Sequence, residues 1–417
     1  MEHLALQVLL GIGVIIGCCL AITPLCTRLR QPGVVGQIVV GLALGLLPAG
    51  VKSMIFPVAA LPSLNVVAQV GLVLFLFTVG YEIDLGLLRR HARTSLATAG
   101  GAFILPMALG TGLAVVLVGT KLGGAASITH PVPFVLFVAV AMSITAVPVL
   151  AWILRDRELQ STPIGVVAMA SASLMDIAGW LVLAVAVALL SATAHSLVII
   201  AILLPAYVAV MLWAVRPALR RWMKPSFTVT SRGFLLTALT MVSAWCTGQL
   251  GLHVFFGALL MGILTPRRQD GTADPHLMQW MNRAGTALLP VFFAVTGLSV
   301  DIGGLGGADW AIFAGVSVLA IAGKVGGGTL TAKASRLPNR FSLVVGVLLN
   351  TRGLTELIAL TAGYQIGLLN RTLFTILVLM AVTTTAMTGP LLAVLGIAKP
   401  VPKLVAVETP APEAEAA

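Results

Sequence analysis

The sequence predicts an all-α polytopic membrane protein of about thirteen transmembrane helices, arranged as two inverted six-helix repeats around a linker helix. Three observations carry this. Of 417 residues, 59% are hydrophobic and 9% charged, against about 25% charged in soluble domains. The mean hydropathy is +1.05. The apolar residues come in runs near the ~20 that cross a bilayer, and Lys and Arg gather in alternate loops.

Breaks at charges, Pro and Gly place helices near 4–24, 33–50, 63–81, 95–119, 132–154, 163–190 and 196–215. A second set falls near 232–249, 252–265, 285–300, 309–332, 341–367 and 372–396. The pair around Gly251 reads either as two helices of a hairpin or as one kinked segment. With the amino terminus outside, twenty Lys and Arg lie on the inner side, among them Arg28, Arg30, Arg89, Arg90, Arg155, Arg157, Lys224, Lys399 and Lys403. Only Lys52, Lys121 and Arg371 lie outside. This is the positive-inside pattern. The net charge of +11 is therefore topology and not a nucleic-acid surface, and the carboxyl terminus is cytoplasmic.

Cys18, Cys19, Cys26 and Cys246 sit in or beside apolar helices without metal-ligand spacing, and read as packed thiols. The first apolar stretch runs into Arg28 and Arg30 and does not look cleavable. Residues 1–399 read as one transmembrane domain. The Pro/Ala/Glu-rich tail 400–417 reads as disordered and cytoplasmic, with no nucleotide-binding module expected after it.

Two spans are interrupted at depth. In the fifth helix, Ser143-Ile144-Thr145-Ala146-Val147-Pro148 ends in a residue without an N–H, which frees the Ile144 carbonyl. In the twelfth, Asn350-Thr351-Arg352-Gly353-Leu354-Thr355-Glu356 places two opposite charges and a glycine in mid-span. Freed backbone at membrane depth is tolerated only where it is packed in protein or lines a cavity. The two breaks are equivalent if helices 1–6 and 8–13 repeat about helix 7, and seven crossings make such repeats inverted. Matched interruptions in inverted halves point to a secondary-transporter site. The spacing alone carries this, since the halves share no residue-level similarity. A kink with only a packing role is the simpler reading of either break taken singly.

Asp176 is the one formally charged side chain between Leu159 and Val215. A mid-membrane acid costs ~2.5–3.5 kcal/mol even on lenient scales, and usually marks an ion or proton path. The simpler role is a hydrogen bond that locks helices together. Lys324, Arg352 and Glu356 are the other ionisable groups at depth. Arg352 and Glu356 stand four apart, so they share a helix face and neutralise each other. Asp176 and Lys324, on the sixth and eleventh helices, are expected to meet near the midplane. Desolvation favours a neutral carboxylate and a nearby ammonium favours an ionised one. Such a group can hold either a proton or a monovalent metal cation. Supporting oxygen ligands are expected from Ser171 and Ser173 on the same helix and from Ser143 and Thr145 at the break, although hydroxyls at helical spacing also serve packing.

The stretch Ser143–Trp180 strongly resembles the monovalent cation:proton antiporters of the CPA2 branch, with the sodium/proton antiporter fold. The plant cation/H+ exchangers are the closest likeness. Phe77–Arg90, Gly251–Pro266, Leu288–Asp301 and Leu348–Ile358 fit the same family in the same order across nearly the whole chain. The resemblance implies crossed interrupted helices, no cofactor and a homodimer in the lipid bilayer. It implies an ion-gripping core (about 95–190 and 309–396), a dimerisation scaffold (about 1–81 and 232–300) and a linker helix (about 196–215). It carries the ion-binding aspartate onto Asp176 and a lysine onto Lys324. Met175 stands where many relatives have Asn or a second Asp, which favours electroneutral exchange. The implied function is cation:proton antiport (Na+ or K+) across the cell membrane of a bacterium, contributing to pH homeostasis.

Three rival readings stand against it. Thr78-Val79-Gly80-Tyr81 resembles a potassium-channel filter, but Glu82 replaces its last glycine. A sodium-coupled symporter of an organic solute would need no titrating aspartate. An intramembrane enzyme lacks any Ser–His or paired-Asp constellation. The residues do not identify the cation.

Overall fold

The computed structural model describes all residues except 1, 30, 32, 83–91, 161, 191–201, 204, 224–227, 251–253, 269–272 and 398–417. The tail 400–417, the turn at Gly251, part of the linker, and Arg30, Arg89, Arg90, Lys224, Lys399 and Lys403 lie outside the described residues. Among those described, the chain is helical with no strand.

The first helices are α1 (Glu2–Arg28), α2 (Gly33–Gly45), α3 (Ala49–Ile55), α4 (Leu61–Glu82), α5 (Ala92–Leu117) and α6 (Gly124–Thr129). The fifth predicted span is split into α7 (Pro131–Ala141) and α8 (Val147–Asp156), and α9 (Pro163–Leu190) follows unbroken. After a π-helical turn, Met211–Val215, come α10 (Arg216–Trp222), α11 (Val229–Gln249), α12 (Val254–Leu264), α13 (Pro275–Ser299) and α14 (Gly307–Ala334). The twelfth span is likewise split, into α15 (Asn339–Leu349) and α16 (Leu354–Gln365), before α17 (Arg371–Val394). Among the described residues, six segments are long and apolar enough to cross a membrane, and the half-helices α7 and α15 are among the shorter apolar ones. Apolar side chains such as Leu6, Leu20, Val116 and Leu181 are exposed along the long helices, as suits lipid-facing surface.

Local chemistry sets several helix starts. Thr228, Asp274 and Asn370 accept backbone N–H bonds from Ser231, His276 and Leu373 at α11, α13 and α17, relieving first-turn donors that have no helical partner. Pro148 stands in the first turn of α8, where a missing N–H costs nothing.

The helices pack as two groups. In one, α13 lies along α4 and α2, and α12 along α4 and α11. In the other, α14 lies along α5 and α15, and α9 along α5 and α7. A glycine crossing holds the first group together: a Cβ on Gly41 would stand 2.5 Å from the Ala294 carbonyl oxygen. Small residues let helix backbones approach in a bilayer, where dispersion contacts replace the hydrophobic drive. Four polar links join the groups among the described residues. Gln31 Nε2 donates to the Ala386 carbonyl, Thr296 meets Thr361, the Asp301 amide donates to Thr375 Oγ1, and Asp301 pairs with Arg371.

Candidate functional site

The two interrupted segments meet backbone to backbone. Ala146 donates its N–H to the Thr351 carbonyl at 3.1 Å, and Thr145 Oγ1 donates to the Leu349 carbonyl at 3.0 Å. Two carboxyl ends, of α7 and α15, and two amino ends, of α8 and α16, therefore converge in the middle of the second helix group. Helix ends carry partial charges of about half a unit, negative at the carboxyl end and positive at the amino end. The junction needs cations beside one set of ends and anions beside the other.

Both are present. Arg352 donates to the Ala141 carbonyl at 3.0 Å and to the Met142 carbonyl at 2.6 Å. Lys324 donates to the Ser143 carbonyl and, at 2.7 Å, to Thr145 Oγ1. Two buried basic side chains thus satisfy the orphan carbonyls at the end of α7. Glu356, in the first turn of α16, accepts from Arg352 at 2.8 Å with both side chains fully buried. Gly353 turns the chain at φ 141°, a region open in practice to glycine alone. Thr385 of α17 clamps the same turn, accepting from the Arg352 amide at 3.0 Å and donating to its carbonyl at 2.7 Å.

Asp176 is buried in α9 beside this crossing, within electrostatic reach of Lys324. The Thr355 hydroxyl lies next to its carboxylate, yet neither that hydroxyl nor Asp176 Oδ1 closes a hydrogen bond. Both side-chain polar atoms of Asn350 and Oε2 of Glu356 are also buried without a partner. Buried polar atoms are nearly always satisfied, so the orphans at Asp176, Thr355, Asn350 and Glu356 single out this part of the structure as more than packing.

Sequence reasoning placed these residues unevenly. The Arg352–Glu356 pair is formed. The expected Asp176–Lys324 ion pair is not: the two stand beyond ion-pair distance, because the freed carbonyl of Ser143 and the Thr145 hydroxyl take the ammonium instead. Of the expected supporting ligands at the break, Ser143 accepts from Lys324 through its carbonyl and donates through its hydroxyl to the Ala139 carbonyl, and the Thr145 hydroxyl meets both Lys324 and the Leu349 carbonyl. Ser173 bonds to the Met169 carbonyl and Ser171 to the Ser95 carbonyl, which are packing contacts. Asn350, Thr355 and Thr385 were missed as site residues. The run Thr383-Thr384-Thr385 in an otherwise apolar helix was the available signal for the last.

The fold and the junction can be set beside known proteins. The model of the family described as "Sodium/hydrogen exchanger, transmembrane" matches residues 15–397. The chain belongs to the sodium/hydrogen exchanger family. Members of this family are transporters rather than enzymes, and the chain is an integral membrane protein. Among curated relatives, Cation/H(+) antiporter 20 of Arabidopsis thaliana is 38% identical over 393 residues, covering 89% of this chain and 46% of the relative. Na(+)/H(+) antiporter NhaS4 of Synechocystis sp. is 34% identical over 404 residues, 93% of this chain and 96% of the relative. K(+)/H(+) antiporter 1 of Saccharomyces cerevisiae is 33% identical over 389 residues, 88% and 43% of the two chains. The chain thus spans about half the length of the plant and yeast relatives and nearly all of the cyanobacterial one. The sodium proton antiporter MjNhaP1 from Methanocaldococcus jannaschii, a solved structure, shares the fold at TM-score 0.55 and 15% identity, covering 95% of this chain and 96% of that one.

Proposed function

We propose that this exchanger moves a monovalent cation, Na+ or K+, against H+ across the membrane, one for one, with Asp176 holding either ion in turn. The observation that carries the reading is the buried Asp176 carboxylate with an unpartnered oxygen at the crossing of two interrupted helices. An ionised carboxylate there attracts a cation and a neutral one does not. Competition between proton and cation for one group is all that coupled exchange requires. The names of the relatives, cation/H+, Na+/H+ and K+/H+ antiporters, support the same chemistry.

In this reading Asp176, the Thr355 hydroxyl and the Asn350 side-chain carbonyl ligate the cation. Arg352 and Lys324 hold the freed carbonyls in place and keep the cation on the carboxylate side of the junction. The second helix group (about 95–190 and 309–396) is the moving core. The first (about 1–81 and 232–300) is the scaffold through which two copies form a homodimer, with 196–215 as the linker. The few polar links between the groups suit a surface that slides. The protein resides in the cell membrane of a bacterium with its amino terminus outside.

The test is reconstitution into vesicles with a lumenal pH dye. Addition of Na+, K+, Li+ or Rb+ chloride should move protons in the opposite direction, and vesicles in which no cation moves protons would end the proposal. Solute-dependent sodium uptake would favour a symporter instead.

A further inference from the structure

We propose that Trp180 is the gate over the Asp176 site on the membrane side reached by the carboxyl end of α9. There its indole locks against Phe255 and Phe256 of the opposite helix group. This deepens the antiport reading, on which the role of Asp176 as ion carrier rests.

Trp180 follows Asp176 by four residues, so the two share a helix face. Helical side chains lean toward the amino terminus and the preceding turn, so the side chain at 180 leans back toward the turn that carries Asp176. The ring is buried. It meets Phe255 edge-on at 6.0 Å and 76°, and Phe256 at 5.9 Å and 86°. These are favourable T-shaped arrangements. Both phenylalanines belong to α12, so the contact spans the seam between the helix groups. Sliding one group past the other must break it.

Two further observations distinguish a gate from fixed packing. The indole Nε1 has no hydrogen-bond partner, so no hydrogen bond ties the ring to its present position and the aromatic contacts alone hold it. Beside it lies an apolar cavity of about 190 Å³, lined in part by Ile177, Leu181, Tyr207, Leu259, Leu260 and Ile263. Engineered cavities of ~150 Å³ accept benzene, so an aromatic ring fits this space. The ring has both a seat and a place to go.

The test uses the full chain in vesicles with Cys18, Cys19, Cys26 and Cys246 replaced by alanine. S173C, three residues before Asp176 on the same face, reports access to the site. A membrane-impermeant maleimide is applied from the side reached by the carboxyl end of α9. Labelling should be slow with Trp180 present and roughly tenfold faster in W180A, the change that ~1.4 kcal/mol off the opening barrier produces. It should be slow again in W180F, which keeps a ring against Phe255. F255A breaks the lock from the other helix group and should accelerate labelling equally, so the test survives a W180A protein that fails to fold. Labelling from the opposite side should not change, whereas general loosening would raise both rates. Unchanged labelling in W180A and F255A overturns the gate. Exchange measured on the parent protein is a separate readout, and its absence would count against antiport without touching the gate.

Discussion

Lys324 donates hydrogen bonds to the Thr145 hydroxyl at 2.7 Å and to the Ser143 carbonyl, at the open carboxyl end of α7. With Arg352 on the neighbouring carbonyls of Ala141 and Met142, it supplies donors to backbone that the helix break leaves unsatisfied. Glu356 is held by Arg352, whereas Asp176 keeps a buried oxygen without a partner.

Removing Lys324 should therefore act on stability. K324A leaves two acceptors unpaired, and a buried polar group without its partner costs ~1–3 kcal/mol, so the melting temperature in detergent should fall. K324Q restores a donor without charge and should recover part of the loss. Melting temperatures unchanged in both variants would mean that Lys324 does not hold the break together.

Asp176→Asn preserves size and hydrogen-bonding capacity but cannot titrate. The variant should insert and melt like the parent and should move no protons in the vesicle assay. Near-parental exchange from a well-folded D176N protein would sink the mechanism.

Arg352 and Glu356 form a fully buried pair at 2.8 Å. Breaking it from one side strands a charge at a cost of ~3–5 kcal/mol. E356Q should lower thermal stability strongly. R352Q should lose still more, because the carbonyls of Ala141 and Met142 lose their donor as well. The double variant R352Q/E356Q should be less destabilised than the sum, and strict additivity in a double-mutant cycle would mean that the pair is not coupled.

Gly353 sits at φ 141°, and a Cβ there would stand 3.2 Å from Val149 Cγ2. G353A should cost about 1–3 kcal/mol of backbone strain and should distort the start of α16, where Thr355 and Glu356 are held. Unchanged melting temperature and exchange rate would show that the turn tolerates a side chain.

One carboxylate holding either one proton or one monovalent cation presents the same net charge to both faces. Exchange should then be flat across an imposed potassium-diffusion potential with sodium as test cation. Net transfer of one charge would instead add ~2.3 kcal/mol per 100 mV to the driving force. A marked voltage dependence would mean that a second proton moves, and E356Q is the variant that would remove it.

The sequence by itself determined the helical membrane class, the two breaks and the isolation of Asp176. Charges, Pro148 and Gly353 stand out sharply against apolar runs, because each is expensive at membrane depth. It also determined the Arg352–Glu356 pair, whose partners are four residues apart and need only local geometry. The tertiary structure decided what no spacing encodes. Lys324 turns to the carbonyl of Ser143, 181 residues away. Thr385 clamps the turn at Arg352, and the side chains of Asn350 and Thr355 are left unpaired at the second break. Which acceptor an ammonium chooses depends on where two distant helix ends are brought together. That meeting is set by the packing of whole helices across the crossing, not by any property of the residues that take part in it.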